Sequence, residues 1–214
     1  MSKTIVFDLD GTLIDSAPDL HDATNVMLAA LGRGPLDLAT VISFIGNGVE
    51  KLVERALEAT GGDDGLKIES LSRFRAHYDA NMTRLTRPYE GVLPCLEALV
   101  AQGCVLGICT NKPDGPAKAI CADLGIAPLF GVIAGARPGI AHKPDPEPLL
   151  ASIAALGGLP ETALYVGDSR VDWQTAQNAG VAFRLFSGGY MNGPAPAMAA
   201  GDVFDRWSVA AILG

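Results

Sequence analysis

Asp8 and Asp10 stand two residues apart at the end of an apolar run, TIVFDLD (4–10), with Gly11-Thr12 next and Asp15 close behind. Residues i and i+2 of a strand share a face, so the two carboxylates come onto one side of a strand end. Like charges that close repel, which makes a purely structural role a poor explanation without a cation. A carboxylate with a pKa of about 4 is already ionised at neutral pH and needs no base to act as a nucleophile. Attack by Asp8 on phosphorus would give an aspartyl-phosphate. Asp10 could protonate the leaving alkoxide and then draw a proton from the hydrolytic water, and adjacent negative charge favours the protonated form this needs.

Three further polar clusters lie in or just after β-rich runs: Thr110-Asn111-Lys112, then Lys143, then Asp168-Ser169 with Asp172 nearby. An anion attacking an anion is the main electrostatic obstacle to phosphoryl transfer. A hard divalent cation with oxygen ligands, here Mg²⁺, removes it. Asp8 and Asp168 are the expected carboxylate ligands, and Asp172 and Ser169 are expected to hold that first set in place. Lys143 would offset phosphate charge and pair with Asp8, while Thr110 and the amide of Asn111 donate hydrogen bonds to phosphoryl oxygens.

These residues need a scaffold that brings them together. Five β-rich runs recur, at 4–10, 104–111, 130–135, 163–169 and 181–186. Helical patterns at 91–103, 115–125, 144–158 and 171–180 separate the last four. That alternation implies an α/β fold with a parallel sheet covered on both faces. Ligands of such sheets bind outside the carboxyl ends of the strands, where side chains distant in sequence converge. The first strand breaks the rhythm: residues 17–84 read mostly as helix, as in VEKLVERALEA (49–59), with Val49, Leu52, Val53, Ala56 and Leu57 on one face. The expected division is a core of 1–15 and 87–214 with an inserted helical cap of 16–86. Residues 187–201, rich in Gly, Pro and Ala, read as loop.

FDLDGTLIDS, CTNK, HKPDP and GDSRVD, in that order over residues 7–172, resemble the four motifs of the haloacid dehalogenase superfamily. SAPDL, FIGNGVEKLVERAL, TNKP and VGDSRVDWQTAQNAG look closest to its phosphoglycolate phosphatases. The resemblance implies a Rossmann-like sheet in the order 3-2-1-4-5, a helical cap after the first strand, and the backbone carbonyl of Asp10 as a further metal ligand. The dehalogenase branch lacks a second acid in its first motif, so Asp10 argues for phosphate chemistry. A sugar phosphomutase, or a phosphatase for another small metabolite, is the alternative within the superfamily. A dinucleotide-binding dehydrogenase would want G-x-G-x-x-G after the first strand, which DLDGTLID lacks. A phospho-accepting receiver would be shorter and capless.

In the insertion, Gly46-Asn47-Gly48 precedes a helix whose free N–H groups suit an anion such as a substrate carboxylate. Arg55 and Lys51 are expected on a solvated face beside Glu54 and Glu58, and Asp15 is expected to cap the chain's exit into the insertion. The net charge of −8 argues against a nucleic-acid partner and leaves a small phosphorylated metabolite in need of local cations. No apolar run approaches the roughly 20 residues needed to cross a bilayer, and MSKTIVFDLD does not read as a signal peptide. Cys95, Cys104, Cys109 and Cys121 form no metal-binding spacing and read as reduced thiols. The expectation is a cytoplasmic monomer or homodimer.

Overall fold

Ile5, Val6 and Phe7 are all fully buried, although Val6 points to the opposite side of the strand from the other two. Only a strand covered on both faces shows that, and it places the first β-run at the centre of the sheet. In the computed structural model, which describes residues 3–62 and 65–214, strand β1 (Thr4–Phe7) is followed by a turn and a short strand β2 (Ile14–Asp15). Helices α1 (Ala17–Ala30), α2 (Leu38–Ile42), α3 (Val49–Ala59) and α4 (Lys67–Asn81) come next, then strand β3 (Arg87–Pro88). Helices then alternate with strands: α5 (Val92–Ala101), β4 (Val105–Pro113), α6 (Asp114–Asp123), β5 (Val132–Ala136), α7 (Glu147–Ala155), β6 (Leu164–Gly167), α8 (Arg170–Ala179) and β7 (Ala182–Phe186). The two-residue strand β8 (Val203–Phe204) and α9 (Val209–Leu213) finish the chain.

The sheet runs β5-β4-β1-β6-β7-β8, every neighbouring pair parallel. Counted by the five β-rich runs, this is the 3-2-1-4-5 order, with β8 added at one edge. Nothing in the sequence marks β8, because two residues are too few to show a period. One core cluster joins Ile5, Phe7, Leu106 and Ile108 to Leu96 and Leu99 of α5 and to Ala117 and Ile120 of α6. The other joins Val6 and Tyr165 to Leu149 and Ile153 of α7 and Ala176 of α8.

Leu52, Val53, Ala56 and Leu57 of α3 are buried, as its amphipathic spacing predicts. β2 and β3 pair antiparallel, Ile14 with Pro88 and Asp15 with Arg87, so the chain's exit from the sheet and its return lie side by side. Asp19, buried at the start of α1, strengthens this junction by accepting from the Thr86 N–H and hydroxyl, both at 2.7 Å. Asp15 caps no helix. The residue before α1 is Ser16, whose hydroxyl turns back to Asp10 (2.6 Å), while Asp15 accepts from the Tyr190 hydroxyl at 2.5 Å. All four cysteines are buried free thiols.

Candidate active site

Asp8 is the first residue past β1, and its N–H donates to the Val166 carbonyl of β6 (2.9 Å). β1 lies between β4 and β6, where the chain's strand order reverses and a crevice opens at the carboxyl ends. Thr110, Asn111 and Lys112 come from the end of β4. Lys143 comes from the loop before α7, and Asp168, Ser169 and Asp172 from the turn into α8. All eight side chains are buried.

The Lys143 ammonium lies 2.9 Å from Asp8 and 2.6 Å from Asp172, and donates to the Tyr165 hydroxyl at 2.8 Å. Asp172 has both oxygens engaged. One accepts from Lys143 and Tyr165, and the other from the Ser169 hydroxyl and N–H, while Ser169 caps the Asp172 N–H in return. This capping box is what orients α8 toward the site. Burial works against the Asp172 charge, but Lys143 and the surrounding donors more than offset it, and its pKa is lowered.

Asp8, Asp168 and Asp172 each present a carboxylate oxygen within 4.8 Å of the other two. Burial first, and then the Asp172 charge, push Asp8 up to about 6 against the pull of Lys143. Burial and the charges of Asp172 and Asp8 likewise hold Asp168 well above the ordinary carboxylate range. Asp8 Oδ1 is buried and faces the Lys143 ammonium at 2.9 Å. A buried all-oxygen cluster of three carboxylates facing one ammonium carries excess negative charge and fits a hard divalent cation. Asp8 and Asp168 would hold it, since Asp172 is committed to Lys143 and Ser169.

The Asp10 side chain lies elsewhere than the first-motif spacing suggests. It lines the same cavity as Asp8 but is outside the carboxylate trio. The group facing it is positive: Lys112 Nζ approaches its two oxygens at 3.0 and 3.1 Å, and Ser16 adds a hydroxyl at 2.6 Å. The expected crowding of Asp10 by neighbouring carboxylates is therefore replaced by an ion pair. Asp8 leaves the sheet at the end of β1 while Asp10 already belongs to the following turn, so strand alternation no longer governs their directions.

A cavity of about 240 Å³ opens between Asp8, Asp10 and Thr110 on the sheet side and Leu20, Phe74 and Tyr78 on the helices. Gly46 and Gly48 line it, with φ of 109° and 85°, but Asn47 does not. Asn47 Oδ1 accepts from Arg55 (3.1 Å), which also donates to the Phe44 carbonyl (3.1 Å). Arg55 thus braces the loop ahead of its own helix and does not sit on the solvated face with Glu54 and Glu58. Lys51 does pair with Glu54, at 2.7 Å. The Asn111 side chain clamps the loop from the sheet side, donating to the Gly46 and Lys143 carbonyls (both 3.1 Å) and accepting from the Lys143 N–H (2.9 Å).

Tyr190, Gly189 and Tyr78 have no recognisable sequence signal, while Gly11 and Thr12 lie inside the first motif. Tyr190, in the loop after β7, donates its N–H to Asp168 at 2.6 Å and accepts from the Ala17 N–H at 2.8 Å. Thr12 donates to the other Asp168 oxygen (2.7 Å). Gly11, at φ 85°, and Gly189 leave no space for a side chain, because a Cβ on either would strike Asp168. Tyr78, from α4, accepts from Lys112 at 2.7 Å.

The family model of haloacid dehalogenase-like hydrolases matches residues 5–186. This chain belongs to the haloacid dehalogenase-like hydrolases. Among relatives in that family, the phosphoglycolate phosphatase of Cereibacter sphaeroides is 46% identical over 192 residues, covering 89% of this chain and 87% of its own. That of Rhodospirillum rubrum is 43% identical over 215 residues, covering 97% and 89%. A crystal structure described as a predicted phosphoglycolate phosphatase from Haemophilus somnus superposes with a TM-score of 0.90 at 32% identity, covering 97% of this chain and 95% of that one. Among the described residues of this haloacid dehalogenase-like hydrolase, no helix is long and apolar enough to cross a membrane.

Proposed function

We propose that this phosphoric monoester hydrolase converts 2-phosphoglycolate and water to glycolate and phosphate, through an aspartyl-phosphate on Asp8 and with Mg²⁺. The observation that carries the reading is the surrounding of Asp8: a buried carboxylate paired with Lys143 and flanked by Asp168. The names of the relatives at 46% and 43% identity point to the same substrate.

Asp8 attacks phosphorus as an ionised carboxylate, and Lys143 neutralises charge as it builds on the phosphoryl oxygens. Thr110 and the Asn111 amide are the expected donors to those oxygens. Asp8 and Asp168, with the Asp10 carbonyl, would hold Mg²⁺, which would supply Lewis-acid neutralisation of the phosphoryl group. Asp10 gives a proton to the departing glycolate oxygen, then takes one from the water that hydrolyses the aspartyl-phosphate. Gly46 and Gly48, with the residues from the insertion, close over the leaving group and limit water.

The cavity also weighs against a sugar phosphate. Its helical wall is mainly apolar at Leu20, Ile45, Leu52 and Phe74, with Arg75, Tyr78 and Asp79 as its polar groups, which suits a small leaving group better than a ring of hydroxyls. The test is phosphate release from a panel of small phosphorylated metabolites with and without Mg²⁺. Phosphoglycolate should have the highest kcat/KM, and only with the metal. A sugar phosphate turned over faster, or full activity in excess EDTA, would refute the proposal.

A further inference from the structure

Lys112 presents a buried ammonium to the cavity, with its side chain only 3% exposed. Its three N–H donors are all used: two approach the Asp10 oxygens and one goes to the hydroxyl of Tyr78. Burial alone would drive this amine toward neutrality, but the Asp10 charge and Tyr78 outweigh it and its pKa is raised. A buried cation of this kind must keep an anionic partner, because an unpaired charge in such a place costs several kcal/mol. Asp10 is the group the reaction needs at the leaving oxygen. Among the described residues, Asp10 is the one carboxylate paired with Lys112.

We propose that Lys112 recognises the carboxylate of the leaving group, which takes the place of Asp10 on the ammonium. Tyr78 holds the ammonium from the helical side and acts as its positioning residue. This inference rests on the phosphoglycolate reading and names how the glycolate end is held.

Charge and chemistry narrow the ligand. Only an anion can displace Asp10 without stranding Lys112. The other cation on the cavity wall, Arg75, has a side chain 51% exposed and lies 3.5 Å from Glu50, so water and Glu50 already meet its charge. The Tyr78 hydroxyl accepts from Lys112 and keeps its own proton to donate to a ligand oxygen. Its ring is fixed by stacking on Phe74, with centroids 5.5 Å apart. Because Tyr78 comes from α4 and Lys112 from β4, the anion subsite is complete only when the helices sit over the sheet. The turn at Gly46 and Gly48 borders the same cavity and shapes it beside that ion pair.

The experiment compares 2-phosphoglycolate with 2-hydroxyethyl phosphate, which differ only in carboxylate against hydroxymethyl. Any damage that Lys112→Met does through Asp10 falls on both esters and cancels in their ratio. The wild-type preference for the carboxylate should drop by about tenfold or more in Lys112→Met, the size expected for one lost charged contact. Tyr78→Phe keeps the ring and should raise KM for phosphoglycolate by a several-fold larger factor than KM for the hydroxyethyl ester. Competitive inhibition by glycolate should weaken in both variants. An unchanged ratio with unchanged glycolate inhibition would overturn the inference while the substrate reading stands. A wild-type enzyme that cleaves other esters but not phosphoglycolate would overturn both.

Discussion

Tyr190 reaches Asp168 through its backbone N–H at 2.6 Å, so a loop far along the chain holds one of the candidate metal ligands. Its phenol meanwhile bonds Asp15 and the Ala17 N–H, where the helical insertion leaves the sheet. Tyr190→Phe removes the phenol contacts and leaves the backbone bond. It should lower stability by about 1–3 kcal/mol, the cost of an unsatisfied buried donor, with Mg²⁺ affinity unchanged. Gly189→Ala should do the reverse in kind: a Cβ there would strike Gly11 and Asp168, so the Mg²⁺ concentration for half-maximal activity should rise. Denaturant unfolding and metal titration of the two variants separate the effects.

Asp8→Asn should lose essentially all turnover, because an amide is not a nucleophile and is a weaker metal ligand. Since Asp8 and Asp168 both carry raised pKa values from shared burial and repulsion, the metal-free variant should melt no lower than wild type. Retention of more than a few per cent of the wild-type rate would sink the nucleophile assignment.

Lys143→Met should cost about 10²–10³ in rate as a lost electrostatic stabiliser. It should also destabilise the fold, since Asp172, now lowered by Lys143, would be left buried without its cation. Near-normal steady-state kinetics would reduce this lysine to a loop contact.

The pH dependence of metal stabilisation follows from Asp8. Its folded pKa of about 6 lies above the ordinary 3.8, so between those values the folded metal-free protein binds more protons than the unfolded chain. Stability of the metal-free protein therefore falls as pH rises through that window. Mg²⁺ must displace the Asp8 proton at pH 5 and far less of it at pH 7.5, and the raised Asp168 carboxyl works in the same direction. The rise in Tm on adding Mg²⁺ should be larger at pH 7.5, as differential scanning calorimetry can measure, and an equal or larger rise at pH 5 would contradict the assignment.

Gly46 and Gly48 have room for a Cβ, whose nearest neighbours would be 3.9 and 3.6 Å away, but both hold positive φ. Substitution there acts by straining the turn. Gly46→Val with Gly48→Val should cut kcat/KM for phosphoglycolate far more than for p-nitrophenyl phosphate. Equal losses would make the turn merely structural.

What the sequence alone determined was periodic or typed. The apolar first β-run, helical spacing in α3 and the β–α rhythm after residue 90 report burial, which depends on local geometry, so a parallel α/β sheet and a helical stretch after β1 were legible, while the strand order came from the resemblance of the four motifs to a known family. The ordered motifs also named the residues that the structure gathers at the crevice, because strand ends converge in any parallel sheet of this connectivity. Pairing within that crevice was not legible. Whether Asp10 meets Asp8 or Lys112, and whether Arg55 faces water or the 46–48 turn, depends on how a turn rotates a side chain after the strand ends. Tyr78, Tyr190 and Thr12 enter only because α4, the loop after β7 and the turn after β1 pack against each other. Contacts across such separations leave no period in the chain; they are decided by tertiary packing, which sets which buried charge must find which partner.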